Sequence, residues 1–129
     1  MPIRSFNPQS IPAPSGSYIH GIEVPADAKI LFIAGQTPGK ADGSVPENFE
    51  EQVEVVWKRI GAILEGAGMN YSNLVKVQTF VVGQENLPKT SAIRKRILGD
   101  TRPTATLLCI SGLADPRYKV EIEAIAAKA

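Results

Sequence analysis

The stretch RPTATLLCISGLADPRYKVEIEAIAA, residues 102–127, decides how the rest of the chain is read. Its first run, Thr104 to Ile110, is β-rich and holds no charged side chain. SGLADPRYK follows as a turn segment, and an alternating strand closes the stretch. Two strands joined by a turn predict a hairpin-like closing pair. Glu121 and Glu123 have the same strand parity, so both point to one face. A carboxylate that faces protein from a central strand needs a partner or a chemical task. A site at this end of the chain and a salt-bridged or solvated face are both compatible with that pattern.

Upstream, LVKVQTFVV (74–82) reads as a strand, and Asn86 with Pro88 opens a short helix through about Leu98 that Gly99 stops. A longer helix precedes that strand. Phe49, Val53, Val56, Ile60, Ile63 and Ala67 recur at spacings of three and four, and Gly66 and Gly68 end the run. Ser44 and Glu47 predict its capping box, with Pro46 in the first turn. YIHGIEV and KILFIAG, separated by PADA, predict a β-hairpin. Residues 7–17, rich in Pro and Ser, read as an irregular lead-in. Strands alternating with helices predict one sheet with both helices on one face. The second face then lacks a cover within this chain, and an oligomer that buries it is the simplest solution.

The chain has 129 residues, 43% hydrophobic and 21% charged, which suits one domain over residues 1–129. Fourteen basic against thirteen acidic residues give a net charge of +1, no footprint for nucleic acid or an anionic membrane. The one cysteine excludes an internal disulfide and a cysteine-rich metal site. The first ten residues lack a signal-type apolar core, and no apolar run approaches the length of a bilayer span. A soluble protein of the cytoplasm is the expectation, with no membrane partner.

Several candidate sites weaken on inspection. GQTPGKA (35–41) has three residues between its glycines where a phosphate loop has four, and Ala41 where Ser or Thr would bind magnesium. It reads as a turn. His20, the only histidine, has no second ligand at metal spacing and reads as a locally hydrogen-bonded strand residue. Cys109, flanked by Leu107, Leu108 and Ile110, reads as a small buried hydrophobe. Lys89, Arg94, Lys95 and Arg96 read as the solvated face of an amphipathic helix, without aromatic residues between them for base stacking. Tyr18, at the start of an early strand, offers a hydroxyl to the site of Glu121 and Glu123.

Several segments match one family in order. GSYIHG (16–21) is similar to the pattern G-x-Y-x-x-G, and IAGQTP (33–38) resembles S-G-Q-x-P with Ala34 for Ser. GAGMNYSNLVKVQTFV (66–81) resembles A-G-x-x-x-x-D-[IV]-V-K-x-x-x-[FY]-[IV], and RPT near 102 with KVEIEAIA (119–126) resembles the closing signature. On these segments the chain resembles the RidA family (YjgF, reactive-intermediate deaminase, endoribonuclease L-PSP-like). The resemblance implies a chorismate-mutase-like α/β (α+β) protomer and a homotrimer with a central β-barrel and ligand clefts between subunits. It further implies hydrolysis of small enamines and imines to a 2-keto acid and ammonia, without metal or cofactor. In that chemistry an arginine binds the substrate carboxylate and a glutamate positions and activates water.

Carried over by residue, the resemblance puts the glutamate at Glu121, the tyrosine at Tyr18 and cleft backbone at Gly35, with Ser91 near the cleft from the second helix. The strand from 105 to 109 lines the cleft with Ala105, Leu107 and Cys109. The family's arginine falls on Ala105, a departure that removes paired hydrogen bonds to a carboxylate, on the order of several kcal/mol. Arg102 and Arg117 lie near in sequence, but neither is aimed into the cleft by strand parity or loop placement. One expectation is a hydrolase of an enamine- or imine-like metabolite with non-standard specificity, for which the family's aminomuconate-type deaminases offer a precedent. The other is a non-catalytic trimer that binds a small metabolite or a protein partner. Ribonuclease activity, also attached to the family, is disfavoured by the near-neutral charge.

Overall fold

The computed structural model describes residues 2–129. In chain order the elements are β1 (Arg4–Phe6), β2 (Gly21–Glu23), β3 (Lys29–Gln36), α1 (Phe49–Gly66), β4 (Leu74–Val82), α2 (Leu87–Leu98), β5 (Thr104–Ile110) and β6 (Val120–Lys128). Four strands form one mixed sheet in the order β3-β6-β4-β5, and β1 with β2 forms a separate ribbon. β6 is antiparallel to both of its neighbours, while β4 and β5 are parallel. Strands β3, β4 and β5 therefore run the same way, and α1 and α2 carry the chain between them. Both crossovers move across the sheet in one direction. Right-handed connections of that kind put both helices on the same face.

The register separates two faces. Val77, Thr79 and Val81 of β4 and Val120, Ile122, Ala124 and Ala126 of β6 are buried beneath the helices. Val53, Val56 and Ile60 of the expected stripe cover them together with Trp57 and Leu64, whereas Ile63 is half-buried and Ala67, after the helix end, is exposed. Tyr71 adds to this layer: its hydroxyl donates to the Trp57 carbonyl at 2.6 Å, and the two rings meet edge to face. The opposite face has no cover. Phe32, paired with Ile125, is 75% exposed, and Ile30 and Leu108 also reach solvent.

Four local expectations need correction. The helix α1 starts later than Ser44 suggests: Asn48 is its N-cap and accepts from the Glu51 N–H at 3.0 Å. Ser44 donates instead to Asp42, closing a turn before the helix. The YIHGIEV and KILFIAG runs do not pair, because β2 joins β1 in the ribbon and β3 joins β6. Tyr18 and His20 consequently sit in the loop before β2 rather than in a strand. Finally, β5 and β6 are not a hairpin. The chain returns through residues 111–119, and β6 enters between β3 and β4.

Candidate functional site

Two separate groupings collect the residues singled out above. The first lies where the edge strand β5 meets α2 and the loop before β2. Ile19 donates its N–H to the Pro103 carbonyl at 3.0 Å, which ties that loop to the start of β5 and sets Tyr18 beside Ala105. Pro88 in the first turn and Gly99 (φ 58°) at the end bound α2. Ser91 and Arg94, one turn apart on it, face the same concavity. The result is a pocket of about 300 Å³ lined by Ser15, Gly16, Tyr18, Ser91, Arg94, Ala105 and Leu107. No carboxylate lines it. Hydrogen bonding from Ser15 lowers the Tyr18 phenol below its ordinary pKa.

Arg94 is the residue that the sequence reading misplaced. It is 8% exposed, not part of a solvated face, whereas its neighbours Lys89, Lys95 and Arg96 are exposed as expected. Its Nε has no hydrogen-bond partner, and the side chain forms no ion pair among the described residues. Burial, and then the nearby Arg102 charge, lower its pKa from the usual guanidinium value. A signal was present in the sequence. Thr90, Arg94 and Leu98 are spaced four apart, so Arg94 sits in the middle of the face on which α2 is buried.

The second grouping is Gly35 with Glu121. A Cβ at residue 35 would overlap the Glu121 carboxylate, so the missing side chain of Gly35 is the space that the carboxylate occupies. Glu121 pairs with Phe80 and Glu123 with Gln78, and Phe80 also pairs with Leu108. Paired residues share a face, so both glutamates stand on the open side of the sheet, as their parity predicts. Ala105, Leu107 and Cys109 pair with the buried Val77, Thr79 and Val81 and therefore belong to the helical side. Within one protomer, then, Glu121 and the Tyr18 pocket lie on opposite faces. Cys109 has the parity of Ala105 and Leu107 but is exposed and outside that pocket, contrary to its reading as a buried hydrophobe.

The remaining candidates have structural roles. His20 Nε2 meets the Pro12 carbonyl at 2.8 Å, and the His20 N–H donates to Asn7 Oδ1. The turn after Gly35 is held by Arg59 of α1, which donates to Gln36 Oε1, the Thr37 carbonyl and the Gly39 carbonyl. Arg102 donates to the Gly99 and Thr101 carbonyls, and Arg117 pairs with Asp115 at 2.8 Å. That pairing holds the Asp115 carboxyl down at about 2. No helix among the described residues is long and apolar enough to cross a membrane.

Comparison with known proteins gives a consistent outcome. Residues 8–128 match the family model described as endoribonuclease L-PSP. A RutC family protein of Pyrococcus horikoshii is 30% identical over 122 residues, covering 93% of this chain and 94% of the relative. The 2-iminobutanoate/2-iminopropanoate deaminase of Escherichia coli is 26% identical over 128 residues, covering 97% and 98%. Among solved structures, YyfB of the Rid protein family from Yersinia pestis is similar with a TM-score of 0.87 at 27% identity, over 99% of this chain and all of that one.

Proposed function

Since the chain belongs to the endoribonuclease L-PSP family, whose model spans residues 8–128, we propose that it hydrolyses the C=N bond of a small imine or its enamine tautomer. The observation that carries this reading is Glu121, a carboxylate seated against Gly35 with no hydrogen-bond or ion-pair partner found for it among the described residues. Such a carboxylate is free to take a proton. Glu121 removes a proton from water as the oxygen attacks the carbon of the protonated imine, giving a neutral carbinolamine. Glu121 returns that proton to nitrogen and then takes the hydroxyl proton as the C–N bond breaks, so that the C=O forms, ammonia leaves and carries the last proton away as ammonium. Tyr18 contributes a hydrogen bond to the substrate.

The two groupings meet only if two copies of the chain come together. A homotrimer that packs its open sheet faces into a central barrel would bring Glu121 and Gly35 of one protomer toward the Tyr18 pocket of the next, and each cleft would draw on both. Ala105 and Leu107 leave an apolar end to that cleft, which supports a specificity different from that of the 2-iminobutanoate deaminases. The pocket volume of about 300 Å³ and the net charge of +1 suit a small metabolite rather than RNA. The second reading, a binding protein without turnover, is supported by the family resemblance, which puts the family's arginine at Ala105.

A coupled assay separates them. An amino-acid oxidase generates 2-imino acids from a panel of amino acids, and keto-acid release is followed with wild type and with Glu121→Gln, Gly35→Ala and Ala105→Arg. Hydrolysis by wild type should fall about a hundredfold or more in Glu121→Gln. Gly35→Ala should lower it similarly while the melting temperature holds, because the new methyl displaces only the flexible end of Glu121. An inert wild type whose Ala105→Arg variant gains turnover means a cleft specialised away from these imines. If every variant is inert, the binding reading takes over.

A further inference from the structure

We infer that Arg94 is the anion-binding group of the Tyr18 pocket, so that the ligand of this site bears a carboxylate that is gripped from the helix α2 rather than from the strand β5. The inference deepens the reading above, on which it rests for the identity of the site. It begins from an unusual burial. Lys and Arg are almost never fully buried without a partner, because removing a guanidinium from water is costly unless hydrogen bonds or a counter-charge replace the lost hydration. Arg94 is 8% exposed, and no hydrogen bond or ion pair is found for it among the described residues. Only one other buried side-chain nitrogen there lacks a partner: Trp57 Nε1, a neutral group enclosed in the hydrophobic core. Arg94 instead lines a cavity.

The composition of that cavity supplies the rest. Its polar groups besides Arg94 are hydroxyls, those of Ser15, Tyr18 and Ser91, and no acidic side chain competes for the guanidinium. Tyr18 accepts a long hydrogen bond from the Ser15 N–H at 3.4 Å, and no acceptor is found for its own proton among the described residues. A second concavity shares Tyr18 and Ala105 and adds His20 and Lys76, again without a carboxylate. Within the protomer the charged side chains that line the two concavities, Arg94 and Lys76, are positive, and the field of Arg102 reaches Arg94 as well. A planar fork of N–H donors beside three hydroxyls matches a carboxylate in geometry as well as in sign. Ala105 is what leaves room: an arginine on β5 at this position would bring a second guanidinium into the same 300 Å³.

The test uses the full-length chain and 2-oxobutanoate, with 2-oxobutanamide as its uncharged counterpart. In ¹H–¹⁵N spectra of the arginine side chains, the Arg94 Nε–H signal, assigned by its loss in Arg94→Met, should shift saturably with the acid and not with the amide. Affinity for the acid should fall roughly tenfold or more in Arg94→Met, as expected for the loss of one charge-assisted partner. Arg94→Lys should recover little, since an ammonium lacks the fork. An Arg94 signal that ignores saturating acid overturns the inference, and so does unchanged affinity in a folded Arg94→Met. The proposed hydrolysis fails separately: binding that depends on Arg94 in a wild type without turnover would retain the anion site and discard the reaction. Turnover that is indifferent to Arg94→Met would do the reverse.

Discussion

Replacing Gln52 by leucine is expected to lower the unfolding free energy by about 3 kcal/mol or more, measured as a shift of the urea midpoint at unchanged slope. Gln52 lies on the buried side of α1 and is only 2% exposed, yet its amide is fully employed. Its Nε2 donates to the Pro46 carbonyl at 2.8 Å and to the Arg117 carbonyl at 2.9 Å. Its Oε1 accepts from the Lys119 N–H at 2.9 Å. One side chain thus pins the lead-in to α1 and the return loop to β6. Leucine fills a similar volume, so the cavity contribution is small. What remains is three backbone groups without partners, at about 1–3 kcal/mol for the buried Pro46 carbonyl and less for the part-buried Arg117 carbonyl and Lys119 N–H. Because the loop is opened at Arg117 and Lys119, the entry of β6 into the sheet also loosens. Gln52→Glu is the informative companion. It keeps the acceptor but removes the donor, so it should be worse than leucine at neutral pH, where a buried carboxylate would face two carbonyls. Its deficit should shrink on acidification, as the carboxyl takes up the proton it needs to donate again.

The importance of Gln52 was not legible in the sequence, where it is one polar residue in an amphipathic helix. What was legible came from periodicity. The stripe from Phe49 through Ile60, the strand at 74–82 and the stop at Gly99 need only neighbours three, four or two residues away. Both helices on one face follows from alternation of strands and helices plus the handedness of crossovers. Strand partnership did not follow, because it depends on residues distant in sequence. Segments on either side of PADA, and on either side of SGLADPRYK, have the composition of hairpins. In the fold β2 goes to β1, and β6 goes to the middle of the sheet, where its Val120, Ile122 and Ala124 find the buried row of β4. The helix start moved for a local reason. Asn48 has its acceptor one residue before Phe49, so it caps the N–H groups that the apolar stripe requires, and Ser44 is too far upstream.

The candidate site was legible in its members more than in its arrangement. Tyr18, Ser91, Ala105 and Leu107 do line one pocket, and Gly35 does hold Glu121. That these are two places on opposite faces was hidden, since parity places residues within a strand but does not relate one strand's faces to another's until the register is known. Arg94 was hidden differently. Counted with Lys95 and Arg96 it looks like part of a basic run; placed on the helix it falls between Thr90 and Leu98, on the buried side. Charge clusters read along the chain mix residues that a helix separates.

Phe32→Lys is expected to convert the proposed trimer to folded monomers, with the mass by light scattering falling from three times the 13.8 kDa chain to the chain itself. Phe32 is the most exposed large apolar side chain named on the open face, and with Ile125 and Ile30 it forms the patch that the proposed trimer would bury. Lysine there costs little in the monomer, where the position faces water. In an interface each copy would desolvate an unpaired ammonium next to its symmetry mates, a penalty of several kcal/mol per ion. Symmetry multiplies it. The consequence for function follows from the two faces. Arg94, Tyr18 and Ser91 come from one protomer, so the monomer should still bind 2-oxobutanoate with a shift at Arg94. In the proposed trimer Glu121 reaches that pocket from a neighbour, so the same monomer should have lost hydrolysis. Circular dichroism and a melting temperature establish that the monomer is folded. Anion binding without turnover then places the reaction between copies of the chain, whereas a monomer that retains turnover would return the whole site to a single protomer and refute the division of labour between Arg94 and Glu121.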